Sequence, residues 1–208
     1  MIGIVDSGLG NIGSLLSMLR RLGLPATALT DPGAMETCDR FILPGVGAFD
    51  SGMQALKRGG WPERLAAQRA MRRPILGICL GMQLLCEGSD EGVLSGLGWI
   101  PGRARRLPDE PGLRIPHMGW NAIRQERQHA VLPDPAARFY FAHSFHVVCT
   151  LPEHVLATAN HGRTFTAALH ADNVIGMQFH PEKSHRFGMR LLEAFARWQP
   201  QEAACAPG

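Results

Sequence analysis

Apolar positions run along this chain in two rhythms. As far as about residue 89, short continuous apolar runs alternate with stretches of helical period. Residues 1–5 read as a buried strand, and a glycine-rich turn at 6–11 leads into 12–22, whose apolar side chains recur at helical spacing. Gly23 and Pro25 close that unit. Residues 26–29 and 40–43 read as further strands, and 49–57 and 62–71 as helices, the second with Pro62 at its first position. Residues 75–78 read as one more strand, running into a helix that opens at Gly81. Strand–helix repetition of this kind predicts a parallel sheet covered on both faces.

Beyond residue 89 glycine and proline become frequent, and short strands alternate with turns. The candidates are 97–100, 114–118, 122–123, 139–143, 145–148 and 155–159, a meander-like antiparallel pattern. A hairpin is expected from 166–169 and 174–179 about the Ala171–Asp172–Asn173 turn, and 185–198 reads as a closing amphipathic helix. No linker, compositional break or internal repeat defines a second domain.

The 208 residues are 45% hydrophobic and 19% charged, ordinary for a globular chain with a full core. Net charge is +3, and the basic residues are almost all arginine, with Lys57 and Lys183 the only lysines. The densest basic cluster, Arg103, Arg105 and Arg106, lacks interleaved aromatics and reads as a solvated loop or a partner-contact rim, not a nucleic-acid patch. Five scattered cysteines without metal-type spacing predict reduced thiols and a cytoplasmic location. No apolar run approaches the roughly 18 residues that span a bilayer, and the amino terminus lacks signal-peptide features. Neither nucleic acid nor membrane is expected as a partner.

The candidate chemistry centres on residues 74–85. A strand ends at Cys79 and a helix begins directly after it, so the side chain stands at the carboxyl edge of the sheet. Gly77 and Gly81 remove the side chains that would clash across so sharp a bend, as in a nucleophile elbow. The helix amino terminus favours a thiolate, and the Leu80 N–H points toward the space before the sulfur. A packing cysteine between two glycines accounts for this stretch taken alone about as well. The loop Pro44-Gly45-Val46-Gly47-Ala48 also follows a strand. Its alternate glycines allow backbone N–H groups to approach a ligand, although a plain strand-to-helix turn is the simpler account. The turn Gly8–Gly13 has glycines spaced like a dinucleotide fingerprint but lacks the acidic residue expected after it, so a tight turn is the better reading.

A cysteine nucleophile needs a base, and the base an orienting acid. His180-Pro181-Glu182 follows the last strand. Residues two apart in extended chain face one side, and Pro181 stops ladder pairing. A histidine near a turn with an exposed glutamate is common, but with an elbow cysteine in the same α/β chain the set reads as a Cys79–His180–Glu182 triad.

Pro-Gly-Val-Gly at 44–47, Gly-Ile-Cys-Leu-Gly-Met-Gln at 77–83 and Gln-Phe-His-Pro-Glu at 178–182 together resemble the class I, triad-type glutamine amidotransferase family. The motifs occur in order and cover the chain from end to end. Three further stretches are similar to the HisH branch, the glutaminase subunits of imidazole glycerol phosphate synthase: 116–121 (PHMGWN), 139–144 (FYFAHS) and 165–168 (FTAA). The resemblance implies a flavodoxin-like α/β fold, an open, mixed, mostly parallel sheet flanked by helices with added antiparallel strands. It implies a single glutaminase domain over 1–199 with a disordered tail at 200–208. It also implies that Cys79 attacks the side-chain amide of glutamine, that His180 protonates the departing ammonia and later activates water, and that Glu182 holds the imidazole. Leu80, joined after a rearrangement by Val46 or Gly47, matches the oxyanion hole. Gly45, Gln83, Glu91, His143, Ser144 and Phe145 match the glutamine pocket. No metal or other cofactor is implied. The ammonia passes to a (β/α)8 synthase subunit, HisF, in a heterodimer that serves histidine biosynthesis. Residues 116–121, with Trp120, are the candidate rim of the docking face.

Two departures keep a second acceptor open. Ser7 and Phe145 stand where the histidine-pathway proteins more often carry tyrosine. The first turn is similar to that of paralogues supplying ammonia to a surface-polysaccharide sugar amidotransferase.

Overall fold

The computed structural model describes residues 1–109 and 112–200. The tail expected at 200–208 lies outside them from residue 201 onward. In chain order the elements are β1 (Ile2–Val5), α1 (Ile12–Arg21), β2 (Ala26–Leu29), β3 (Arg40–Gly45), α2 (Phe49–Arg58), α3 (Trp61–Ala70), β4 (Ile75–Cys79) and α4 (Leu80–Leu84). Then follow β5 (Cys86–Ser89), β6 (Ile100–Arg106), β7 (His117–Ala122), β8 (Arg124–Gln125), β9 (Arg138–His143), β10 (Phe145–Cys149), β11 (Val155–His161), β12 (Arg163–Ala171), β13 (Val174–Met177) and α5 (His185–Arg197).

The main sheet has eight strands in the order β2-β1-β3-β4-β13-β12-β11-β8. From β2 to β13 every pairing is parallel. The remaining β12, β11 and β8 join antiparallel. The expected open, mixed and mostly parallel sheet is therefore present. Its parallel strands are buried on both faces, which is why they read as unbroken apolar runs rather than alternating ones. On β3, Ile42 packs with Ile2, Leu15, Leu76 and Leu192 on the face covered by α1 and α5. Its neighbours Phe41 and Leu43 turn to the other face, toward Phe49, Leu56, Leu65 and Leu80 of α2, α3 and α4.

Helix α5 closes the first face through buried Leu191, Leu192 and Phe195. Arg40 ends it: Nη1 donates to the carbonyls of Phe195 and Trp198, at 2.9 and 3.3 Å. Both lie at the helix terminus, where carbonyls lose the partners a continuing helix would supply, and the first also accepts the Trp198 N–H at 3.2 Å.

Two smaller sheets, β10-β6-β5 and β7-β9, lie beyond the main one. Here the boundaries differ most from the sequence reading. The strand expected at 97–100 begins at Ile100 and continues through the arginine cluster, so that cluster is not a loop. Buried Ala104 alternates with exposed Arg103 and Arg105, and Arg103 pairs with Asp90 at 2.7 Å. Strand β5 was not expected, because Glu87, Gly88 and Ser89 carry no apolar alternation. The 114–118 strand starts instead at His117.

Candidate active site

Strand register brings the predicted motifs together. Gly45 pairs with Cys79 across β3 and β4, and Met177 pairs with Ile78 across β13 and β4. The carboxyl ends of three adjacent parallel strands thus deliver Pro44–Gly47, Cys79 and the segment leading to His180 to one edge, where ligands of such sheets bind.

Cys79 has φ 54° and ψ −111°, a conformation that costs a non-glycine residue of order 1–3 kcal/mol. Backbone packed on all sides holds it there. A Cβ on Gly77 would come within 2.8 Å of the Gly81 carbonyl and the Met82 nitrogen, one on Gly45 within 3.0 Å of the Gly81 nitrogen, and one on Gly81 would run into the Leu43 carbonyl. The glycines expected from the elbow pattern are required by these approaches. Helix α4 opens at Leu80, one residue earlier than expected, and spans only five residues. The field at the sulfur is therefore that of a single turn of N–H groups.

Beside Cys79 stands His180, 3% exposed. Its Nδ1 meets Glu182 Oε1 at 2.9 Å. Burial alone would push the imidazole pKa down. The neighbouring Cys79 side chain and the hydrogen-bonded Glu182 carboxylate outweigh burial and raise it to about 9. The ring thus holds its second proton at neutral pH. Glu182 Oε2 is buried without a partner among the described residues. A carboxylate so placed is costly unless an adjacent cation offsets it, which agrees with a charged imidazole. Ser184 fixes the backbone here: its Oγ donates to the His180 carbonyl at 2.6 Å and accepts from the Tyr140 N–H at 3.0 Å.

A cavity of about 210 Å³ opens in front of Cys79. Of the predicted residues, Val46, Gly47, Cys79, Leu80, Gln83, Glu91, His143, Ser144 and Phe145 line it. Gly45, His180 and Glu182 do not. Gly45 is packed against Leu80, and His180 and Glu182 are buried against each other. Glu91 Oε2 accepts the Phe49 N–H at 2.8 Å, so Glu91 also ties down the start of α2.

A buried polar network supports the cavity. Gln83 Nε2 donates to the Phe145 carbonyl and to Gln178 Oε1, both at 3.1 Å. Gln178 Nε2 in turn points at Cys79 Sγ from 3.7 Å. His143 contacts the Phe145 carbonyl through Nδ1 at 2.9 Å and His117 Nδ1 through Nε2 at 3.0 Å. Gln178, Ser184 and His117 were not singled out by the sequence reading. Gln178 stood inside a recognised motif, and a fully buried glutamine beside the nucleophile was the available signal. His117 looked like part of an exposed rim. Among the described residues no group of three or more His, Cys, Asp or Glu side chains is arranged to hold a metal ion.

Residues 3–197 match the family described as glutamine amidotransferase class-I. The chain belongs to that family. This glutamine amidotransferase is 45% identical over 198 residues to the imidazole glycerol phosphate synthase subunit HisH 2 of Pseudomonas aeruginosa, covering 94% of this chain and 98% of that one. It is 46% identical over 202 residues to subunit HisH of Bdellovibrio bacteriovorus, covering 94% and 99%. Among solved structures, PurLQS from Thermotoga maritima superposes with a TM-score of 0.70 at 18% identity, over 93% of this chain and 96% of that one. That likeness carries the fold alone. A cysteine nucleophile is a general feature of the glutamine amidotransferase family, and no helix among the described residues is long and apolar enough to cross a membrane.

Proposed function

We propose that this chain is the glutaminase subunit of an imidazole glycerol phosphate synthase, folded as one domain over 1–199 and working in the cytoplasm. The observation that carries the chemistry is the strained Cys79 backed by the His180–Glu182 pair at the wall of a glutamine-sized cavity. Cys79, its proton held on His180, attacks the carboxamide carbon of glutamine as the thiolate. The Leu80 N–H receives the oxyanion, with an N–H of the Val46–Gly47 loop as the second donor after that loop moves. His180, already protonated, gives its proton to the leaving nitrogen and ammonia departs, leaving a γ-glutamyl thioester. Water activated by the now neutral imidazole hydrolyses the thioester to glutamate. Glu182 holds the ring in place for both steps. Gln83, Glu91, Ser144 and Phe145 hold the amino-acid end of the substrate.

The acceptor follows from the relatives' names. Ammonia passes to a HisF-type (β/α)8 synthase in a heterodimer. Val46 and Met118, at the cavity, are 44 and 65% exposed, and Trp120, stacked on His185, is 41% exposed; exposed apolar side chains of this kind suit a docked partner. Ser7 and the missing hydroxyl at Phe145 favour one other acceptor, a sugar amidotransferase of surface-polysaccharide synthesis. Glutamate release measured with and without each partner tests the assignment. Stimulation by orders of magnitude with the histidine-pathway synthase and its ligand is the expected result. Stimulation only by the sugar amidotransferase transfers the chain to the second reading. Cys79→Ala is expected to abolish release while keeping the fold, and retained turnover would refute the triad.

A further inference from the structure

His117 lies at the start of β7, 5% exposed, against His143 of the cavity wall. Its ring is stacked on Phe141 and His161, with centroids 4.9 and 4.2 Å away. Nothing in the proposed chemistry uses it. Its hydrogen bonds, however, form a chain whose proton positions can be read without ambiguity, because a backbone carbonyl stands at each end.

At one end the Phe145 carbonyl can only accept, so His143 carries its proton on Nδ1. His143 Nε2 then offers a lone pair, and His117 Nδ1, 3.0 Å away, must donate to it. That leaves His117 Nε2 as an acceptor for Asn121 Nδ2 at 3.3 Å. At the other end the amide of Asn121 is oriented by the Asn160 carbonyl, to which Nδ2 donates at 2.7 Å. Both ends give the same direction of donation. A second proton on either ring would set N–H against N–H, and burial accordingly pushes His117 and His143 well below the ordinary imidazole range, to about 4 and about 3.

The chain ends on an atom that the cavity depends on. The Phe145 carbonyl also accepts from Gln83 Nε2, whose second N–H goes to Gln178. Both N–H bonds of the Gln83 amide are thereby turned inward, and its oxygen is turned the opposite way. We propose that His117 is a positioning residue for the substrate pocket: by donating to His143 it fixes that ring's tautomer, holds the Phe145 carbonyl, and so sets the orientation of the Gln83 amide that meets glutamine. This rests on the glutaminase reading above.

The test compares steady-state glutamine hydrolysis by the wild-type chain, His117→Phe and His117→Asn, each with the synthase partner. Phenylalanine keeps the stacking and removes the donor, whereas asparagine replaces the donor near the Nδ1 position. The expected result is a KM for glutamine raised about tenfold in His117→Phe with kcat within about threefold of wild type, and a KM restored to within about threefold in His117→Asn. An unchanged KM in His117→Phe, an asparagine variant as impaired as the phenylalanine one, or an equal loss in kcat overturns the proposal. Imidazole 15N shifts of the wild-type protein give a second readout that needs no variant to fold. They should show both His117 and His143 protonated on Nδ1, and an Nε2-protonated His143 overturns the proposal. If the wild type does not hydrolyse glutamine at all, the glutaminase reading falls, while the 15N shifts still judge the histidine chain.

Discussion

Through the elbow at Cys79 the chain positions the sulfur by setting backbone against backbone, whereas from His117 onward it positions the surrounding groups with side-chain hydrogen bonds. The first half has no histidine at all; all nine lie between His117 and His185. Its contribution is three glycines pressed against main chain at the elbow. The second half contributes His180, Ser184, Gln178 and His143, each engaged by a polar partner. A backbone-built site is insensitive to pH and intolerant of added volume. A side-chain-built site tolerates isosteric change in its fold but loses chemistry and responds to protons. That contrast can be broken or sharpened by substitutions on either side.

After loss of Cys79 itself, the largest effect on activity is expected at Glu182→Gln, which keeps the shape and removes the charge. It should lower kcat by about 10²–10⁴-fold, as loss of an orienting carboxylate does elsewhere. The His180 pKa should fall from about 9, because one of the influences raising it is gone. A near-normal kcat measured by glutamate release would contradict the role given to Glu182.

Gly81→Ala should do the reverse. Its methyl group meets the Leu43 carbonyl, a rigid atom of the central sheet. Urea unfolding should show a loss of about 3 kcal/mol, the scale of a backbone clash in a packed core. A stability within error of wild type would show that the elbow is looser than its geometry implies.

The smallest effect concerns pH. His117, His129 and His143 are pushed below the ordinary value of 6.5, chiefly by burial, to about 4, 4 and 3. The unfolded chain therefore binds protons first as pH falls. Stability present above pH 6.5 is lost as pH drops toward about 4. His180 runs the other way: its contribution is complete below pH 6.5 and disappears as pH rises through about 9. Hydrogen exchange at pH 5 should show opening concentrated in β7, β9 and the segment around His129, with β1, β3 and β4 still protected. Uniform opening would remove the distinction between the halves.

The same contrast governs what was legible in the sequence. The parallel strands, the elbow and the loop at Pro44–Gly47 could be read because their signals are local: apolar runs, glycine spacing, a proline. The Cys79–His180–Glu182 set was assembled from two such local motifs. Gln178 and His117 were not found, because their roles exist only through partners distant in sequence. Gln83 meets Gln178 across 95 positions and the Phe145 carbonyl across 62. Strand β5 was missed for a related reason: Gly88 and Ser89 are buried by what packs on them, not by their own hydrophobicity. Gly45 was read as a pocket residue, but its lack of a side chain serves contact with Leu80 and Gly81.

The central claim is that Cys79, and no other thiol, carries the glutamyl group. Acid-quenching the enzyme during turnover of glutamine and mapping the adduct by peptide mass spectrometry tests it directly. The predicted result is a γ-glutamyl thioester on the peptide containing Cys79, absent from those of Cys38, Cys86, Cys149 and Cys205, and absent altogether in Cys79→Ser. Sustained glutamate release with no adduct on Cys79, or an adduct on another cysteine, would contradict the account.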